Sequence, residues 1–290
     1  MSLSLKFRGA ALAVAVAAVA LTGCSSSEEP TNTAAPTNSA TASAAPELQT
    51  LTPGKLTIAT SEPAYSPWVL DDDPTTGKGF ESAVAYAVAE QLGFSKDDVV
   101  WVRSPFEAAI APGPKDWDFN IQQFSITDDR KKAVDFSSPY YTTSQAVVTT
   151  EGSKAASATS LADLDGLKIG TSVGSTSYSA AVAQLGEKNV QVFNSNDDVV
   201  AALQAGQIDA LVIDLPSAFY LRDAVLDGGK IVGQLADSTE GGDQYGLLLA
   251  KDSPLTAPVT AAVDALQADG TLASLEEQWL TTAENVPVLK

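Results

Sequence analysis

Arg130 stands in a short polar segment whose residue types suit the binding of a carboxylate. It lies one turn into a predicted helix that Thr127 opens, and Ser125 comes just before that helix. A guanidinium offers a planar pair of donors to a carboxylate, and the Ser125 hydroxyl adds a third. The alternative from the sequence alone is a surface arginine that pairs with Asp128 or Asp129.

A second polar segment and one carboxylate follow predicted strands later in the chain. Gly174, Ser175 and Thr176 come between a strand and a helix, so exposed backbone N–H groups and the Thr176 hydroxyl can bind the same carboxylate, with Ser175 assisting. A plain strand-to-helix turn is the alternative. Asp214 ends an apolar strand, where a buried carboxylate needs a cationic partner such as a solute ammonium. It can also cap the helix that begins at Pro216.

The elements that position these residues alternate between short apolar strands and amphipathic helices, which predicts an α/β fold with mostly parallel sheets. Strands are predicted at 55–60, 99–102, 118–121, 145–150, 167–171, 190–193, 209–213 and 245–250. Helices are predicted at 80–92, 106–110, 175–185, after an N-cap at Asn196, after Pro216, and at 255–268 and 271–280. The strands at 145–150 and 245–250 cross between two similar units, so we expect two lobes with a cleft at the strand ends.

Composition excludes several classes of function. The net charge of −19 excludes a nucleic-acid partner, since phosphate binding requires a basic face. The chain has no histidine and its single cysteine is Cys24, which excludes histidine triads, thiol catalysis and Cys/His zinc sites in the folded part. No cofactor and no metal are expected.

The N-terminus has the composition of a secretory signal peptide. Lys6 and Arg8 precede the apolar run 10–21, which is shorter than the roughly 20 residues of a membrane span. The string LTGC ends at Cys24 and resembles the bacterial lipobox, which implies acylation of Cys24; a free cysteine after an ordinary cleavage site is the alternative. The predicted organisation is a signal peptide (1–23), a lipidated, disordered linker (24–50), a first lobe (51–145 with 245–290) and a second lobe (146–244).

Four strings in order resemble the solute-binding proteins of amino-acid ABC importers known as family 3. QFSITDDRKKAVDFSSPYY is similar to the family's Thr-x-x-Arg and Asp-Phe-Ser-x-Pro-Tyr signature. LADLDGLKIGTSVGSTS, VAALQAGQIDALVIDLPSA and LQADGTLASLEEQWL also match in order and spacing. The resemblance implies the two-lobed, type II periplasmic-binding-protein-like fold.

The resemblance also implies roles for individual residues. It implies that Asp214 binds the solute's α-amino group, and that Arg130 binds the solute's carboxylate instead of pairing with Asp128 or Asp129 at the surface. The segment TSEPAYSPWV resembles the family's first ligand loop, and it adds three candidates besides the stacking aromatic Phe106: Glu62, Tyr65 and Trp68. Trp68 has burial in the core as an equal alternative.

The chain departs from the family pattern at two places. Gln122 and Gln123 stand where many relatives have small residues, and they shrink the pocket while adding amide donors and acceptors. The loop 111–117 is longer and richer in proline than expected. Both departures concern the solute's side chain, for which Glu62 indicates a cation or an amide.

The expected function is capture of a free amino acid, with a polar or cationic side chain favoured, and delivery to an ABC importer permease. Lobe closure links the two steps, since ligand contacts come from both lobes. We expect a monomer outside the cytoplasm that touches the membrane only through the lipid on Cys24. Two alternatives remain: a dehydratase-like enzyme on the same scaffold with Glu62 as its acid or base, and a ligand-sensing receptor domain.

Overall fold

The structure, a computed structural model, describes residues 48–236, 242–280 and 285–290. The predicted signal peptide, Cys24 and nearly all of the predicted linker lie outside these residues. At the end of that linker, Leu48 already packs against the first hydrophobic core, so the folded part begins slightly earlier than predicted. Among the described residues, we find no helix with the length and apolar character of a membrane span.

The described chain alternates strands and helices as the sequence pattern predicts. In chain order the elements are β1 (Leu56–Thr60), α1 (Phe80–Gln91), β2 (Val99–Arg103), α2 (Phe106–Ile110), β3 (Phe119–Asn120), β4 (Val134–Thr143), β5 (Gln145–Thr150), β6 (Ile169–Ser172), α3 (Thr176–Leu185), β7 (Val190–Phe193), α4 (Asn196–Gln204), β8 (Ala210–Asp214), α5 (Leu215–Tyr220), β9 (Gly229–Gln234), β10 (Asp243–Ala250), α6 (Thr256–Ala268) and α7 (Thr271–Trp279).

Each lobe is built on one sheet of five strands. The first sheet has the order β2-β1-β3-β10-β4 and the second the order β7-β6-β8-β5-β9. β1 pairs in parallel with β2 and β3, and β6 pairs in parallel with β7 and β8. The remaining pairings are antiparallel and involve β10 in the first sheet and β5 in the second. The two-lobed α/β fold is therefore confirmed, with antiparallel strands added by the segments that cross.

Separate hydrophobic cores hold each lobe together. In the first lobe, Val84 and Val88 of α1 lie one turn apart and pack with Ile58 of β1 and Val259 of α6, all fully buried. In the second lobe, Ile169 of β6 belongs to a core that helix α3 covers. Each hydrophobic cluster of the described residues lies within a single lobe, so no apolar core spans the cleft between the lobes.

The chain passes from the first sheet to the second at Ser144, between β4 and β5, and returns between β9 and β10. Register pairs Gln145 of β5 with Asp214 of β8, and Thr143 of β4 with Asp243 of β10. The first crossing therefore runs directly past the carboxyl end of β8, where Asp214 was predicted to bind.

Two local predictions are wrong. The range 245–290 was assigned to the first lobe, but Leu289 packs in a core of the second lobe and its N–H donates to Gln234 O at 2.8 Å. The reason is that the apolar side chain of Leu289 is buried by packing against the second sheet. Ser195, not Asn196, caps α4, since its hydroxyl accepts the Asp198 N–H at 3.1 Å.

Candidate functional site

A cavity of about 240 Å³ lies between the two lobes, at the carboxyl ends of the parallel strands. The structure brings ten of the predicted ligand-binding residues to its wall. The first lobe contributes Glu62, Tyr65, Phe106, Gln122, Gln123, Ser125 and Arg130, and the second contributes Ser175, Thr176 and Asp214.

Arg130 is the one cationic residue that the described part of the chain places on the cavity wall. Its backbone N–H donates to Thr127 Oγ1 at 3.2 Å, which fixes the turn that carries it. Its guanidinium donates to two main-chain carbonyl oxygens, Ser125 O at 2.8 Å and Gly174 O at 2.9 Å. Among the described residues, no carboxylate forms an ion pair with it, unlike the predicted surface alternative. Burial lowers the pKa of Arg130, and the carboxylates of Asp243 and Asp214 oppose that shift.

Asp214 is the facing carboxylate, at the end of β8. Gln145 Nε2 donates to it at 2.6 Å and to Asp243 at 2.9 Å, so one amide joins both carboxylates. Burial, with a smaller contribution from the Asp243 charge, raises the pKa of Asp214 to about 6, while hydrogen bonding and the Arg130 charge oppose the rise. The side chain forms no cap on α5, so the helix-capping alternative is not what the structure adopts.

Hydroxyl groups of the two lobes meet beside Arg130. Ser125 Oγ and Thr176 Oγ1 lie 3.1 Å apart, one on each lobe. Ser175 caps α3: its Oγ accepts the Tyr178 N–H at 3.1 Å and donates to Ser172 O at 2.7 Å. Ser175 therefore holds the helix N-terminus in place, while the Thr176 hydroxyl lines the cavity and contacts Ser125 of the opposite lobe.

Trp68 is the one predicted ligand-binding residue that the structure places elsewhere. Its side chain is 1% exposed in the first core and packs edge-on against Phe80 and Tyr245. Its Nε1 donates to Ser217 Oγ of the second lobe at 2.9 Å. The equal alternative, a core residue, is therefore correct, and the polar tip of that residue links the lobes.

Two aromatic residues of the first lobe enclose the cavity. Phe106 stacks on Phe124 with ring centroids 5.0 Å apart, and the Arg130 guanidinium lies over the Phe106 ring at 5.3 Å. Tyr65 reaches Asp197 of the second lobe, whose charge and hydrogen bond add to burial in raising the pKa of Tyr65. Both residues line the cavity, so their rings are available to contact a solute.

Both departures from the family pattern at 122 and 123 line the cavity. Gln122 is 6% exposed, and its Oε1 has no hydrogen-bond partner among the described residues. Gln123 has left-handed backbone with φ of 49° and is held by Glu81. Glu81 is fully buried on α1, and the sequence analysis missed it because an acidic residue in a first helical turn is typical of ordinary capping.

Carboxylates outnumber cations on the cavity wall. Within the described part of the chain, the charged residues of this wall are Glu62, Glu107, Arg130 and Asp214. Sequence reasoning missed Glu107, although it directly follows the predicted Phe106. If Arg130 and Asp214 neutralise a zwitterion, Glu62 and Glu107 leave two negative charges on the wall. The electrostatics then favour a solute with one additional positive charge.

Residues 56–282 match the family described as bacterial extracellular solute-binding proteins, family 3. The chain belongs to this family.

Individual relatives agree with that family 3 assignment. The L-arginine-binding protein of Pseudomonas aeruginosa is 33% identical over 227 residues, which are 76% of this chain and 86% of the relative. An ancestral arginine-binding protein bound to arginine is 32% identical, with a TM-score of 0.65 over 78% of this chain and 98% of the solved one.

A third similar protein, also a solved structure, bears on the enzyme alternative. It is an ancestral amino acid-binding protein described as a precursor of cyclohexadienyl dehydratase, 28% identical, with a TM-score of 0.63 over 79% of this chain and 96% of that chain. The relatives are thus mainly binding proteins.

Proposed function

We propose that this protein captures a free amino acid with a cationic side chain outside the cytoplasm and delivers it to an ABC importer permease. It acts as a monomer that a lipid on Cys24 anchors to the membrane. The supporting observation is a half-buried Arg130 that lacks a carboxylate partner among the described residues, in one cavity with Asp214. A solute carboxylate and ammonium complete these two positions.

The two charges belong to opposite lobes, which links binding to closure. Arg130 sits in the first lobe and Asp214 ends a strand of the second, so one zwitterion bridges the cleft. Contacts such as Arg130 Nη2 to Gly174 O already join the lobes. Binding stabilises that closed arrangement, because only there do both ends of the solute find partners.

The side chain of the solute is inferred from charge. Glu62 and Glu107 supply the remaining negative charge, and Phe106 and Tyr65 supply flat apolar walls. A guanidinium or an alkylammonium suits that environment, since both carry donors and a positive charge. Arginine is the first solute to test, and two relatives are described by that amino acid.

Truncated analogues test the clamp directly. Calorimetric titration compares L-arginine with agmatine, which lacks the carboxylate, and with 5-guanidinopentanoate, which lacks the α-amine. Each truncation leaves one half-buried charge, of Arg130 or of Asp214, without its partner, and we expect affinity to fall by about a hundredfold or more. Agmatine that binds as tightly as arginine would remove Arg130 from the proposed site.

We further propose that the solute leaves chemically unchanged. The enzyme alternative requires a positioned acid or base, and Glu62 is its candidate. Incubation of the protein with arginine, followed by mass spectrometry of the supernatant, separates the two functions. Recovery of intact arginine supports binding alone, whereas a new product supports turnover.

A further inference from the structure

Glu81 is a buried carboxylate that does not line the cavity itself but binds Gln123, a residue that does. It lies in the first turn of α1 and has no exposed surface. Its Oε1 accepts the Gln123 backbone N–H at 2.7 Å and a hydrogen bond from the Tyr140 hydroxyl, and its Oε2 accepts one from Gln123 Nε2. Two of these three hydrogen bonds hold the same residue, Gln123.

Gln123 lies where solute and protein meet. It lines the main cavity and a neighbouring one of about 310 Å³, and its left-handed backbone is uncommon for a residue with a side chain. A conformation of this kind persists when its surroundings hold it in place, and the Glu81 hydrogen bond to its N–H does so.

The Glu81 carboxylate also decides which atom of the Gln123 amide faces away from it. An ionised carboxylate only accepts hydrogen bonds, so the amide turns its Nε2 toward Glu81. The reversed amide would set two acceptors against each other. Among the described residues no donor reaches Gln123 Oε1, and that oxygen is not one of the buried unpaired atoms. It is therefore the side-chain atom left to meet a solute.

We infer that Glu81 is a positioning residue for specificity: it orients the Gln123 amide so that an acceptor faces the cavity, which favours solute side chains that donate hydrogen bonds. This inference rests on the proposed function and deepens it. It adds a second selection to the preference for positive charge that Glu62 and Glu107 give: side chains that donate a hydrogen bond toward Gln123 Oε1 are favoured over side chains of the same shape that present an acceptor there.

The substitution Glu81→Gln tests the inference because it exchanges one carboxylate oxygen for an NH2 group and keeps the shape of the side chain. The new amide keeps an oxygen for the Tyr140 hydroxyl and the Gln123 N–H, but it places an NH2 group where Oε2 stood. That group would oppose Gln123 Nε2, donor against donor. The Gln123 amide then turns over, accepts from position 81 and presents its own NH2 to the cavity.

L-Arginine and L-citrulline are the matched probes, because citrulline has a neutral ureido group with a carbonyl oxygen in place of one guanidinium nitrogen. The quantity measured is the ratio of Kd for citrulline to Kd for arginine, obtained by calorimetry at about pH 8. Burial raises the pKa of Glu81 to about 7, with the Asp214 charge adding to the rise and hydrogen bonds from Tyr140 and Gln123 opposing it. At about pH 8 the wild-type carboxylate is mostly ionised.

We expect the ratio to fall about tenfold in Glu81→Gln, since a donor replaces an acceptor beside a cation. Glu90→Gln, the same change at an exposed position of the same helix, should leave it unchanged. In a Gln123→Met background, Glu81→Gln should have no effect on the ratio. Gln123→Met alone should lower the ratio, and it decides the question if Glu81→Gln does not fold.

Several results would overturn the inference. Equal weakening of both ligands would make Glu81 a purely structural residue. A fall in the ratio that persists without Gln123 would show that Glu81 acts by another route. If the wild-type protein binds neither probe nor any other amino acid, the proposed function itself fails and this inference falls with it.

Discussion

Lowering the pH should weaken solute binding through Asp214. Burial raises the pKa of this carboxyl to about 6, with Asp243 adding to the rise and Arg130, Tyr245 and Gln145 opposing it. A solute ammonium binds the ionised form, so binding must displace the proton whenever Asp214 is protonated. The protein should therefore bind the solute with its full affinity above about pH 7 and progressively more weakly below about pH 6.

The magnitude follows from that pKa. At about pH 5 roughly one tenth of Asp214 is ionised, against about nine tenths at about pH 7, so Kd for L-arginine should rise about tenfold. The charges of free arginine do not change in this range. Titrations in two buffers of different ionisation enthalpy should also show proton release on binding near pH 6.

Variants separate Asp214 from its neighbours. Asp214→Asn should bind arginine at least about a hundredfold more weakly at about pH 7 and lose the pH dependence. Asp227→Asn, an exposed control in the same lobe, should behave like wild type. Glu81→Gln removes the other buried carboxyl that titrates near this range and should keep the slope. A wild-type Kd that is constant between about pH 5 and 7 would refute the assignment of the ammonium to Asp214.

Two further substitutions test the role of Glu107 and the stability of the fold. Gly174→Ala places a Cβ against Glu107 Oε1, the end of an exposed side chain, so Glu107 must move from its place on the cavity wall and arginine affinity should fall by up to about tenfold. Gly186→Ala, with a similar positive φ and nothing within 4 Å, should leave affinity unchanged, and equal effects of the two substitutions would contradict a role of Glu107 in binding. In the ligand-free protein, the pKa of Glu81 is higher in the folded than in the unfolded state, so the free energy of unfolding should fall by up to about 3 kcal/mol as the pH rises from about 4.5 to about 7. Urea titrations at several pH values should show that Glu81→Gln removes this part of the pH dependence, whereas Glu90→Gln does not.

Sequence patterns predicted the elements that are continuous and apolar, and missed those that are not. The long strand β4 reads as polar and contains Pro139, which interrupts strand patterns. It is tolerated because β4 lies at the edge of the first sheet. The edge strand β9 has glycine at two of its six positions and was missed for a related reason.

At the site, residues at predicted strand ends were easier to predict than residues that hold other side chains of the site in place. Asp214 ends a predicted strand, so the sequence pattern located it, whereas Arg130 became the preferred carboxylate partner only through the family resemblance. Glu81 and Gln145 depend on distant parts of the chain, Gln123 and Asp243 respectively, that only the folded structure brings into contact. Trp68 shows the opposite problem, since an aromatic residue in a ligand loop is equally suited to the core.

The central claim is that Arg130 binds the carboxylate of an amino acid, and one calorimetric comparison tests it. Arg130→Met removes the guanidinium, while Lys132→Met removes an exposed cation from the same turn, one that pairs with Asp129. With L-arginine at about pH 7.5, the account predicts at least about a hundredfold loss of affinity for Arg130→Met and wild-type affinity for Lys132→Met. Wild-type affinity in Arg130→Met would contradict it.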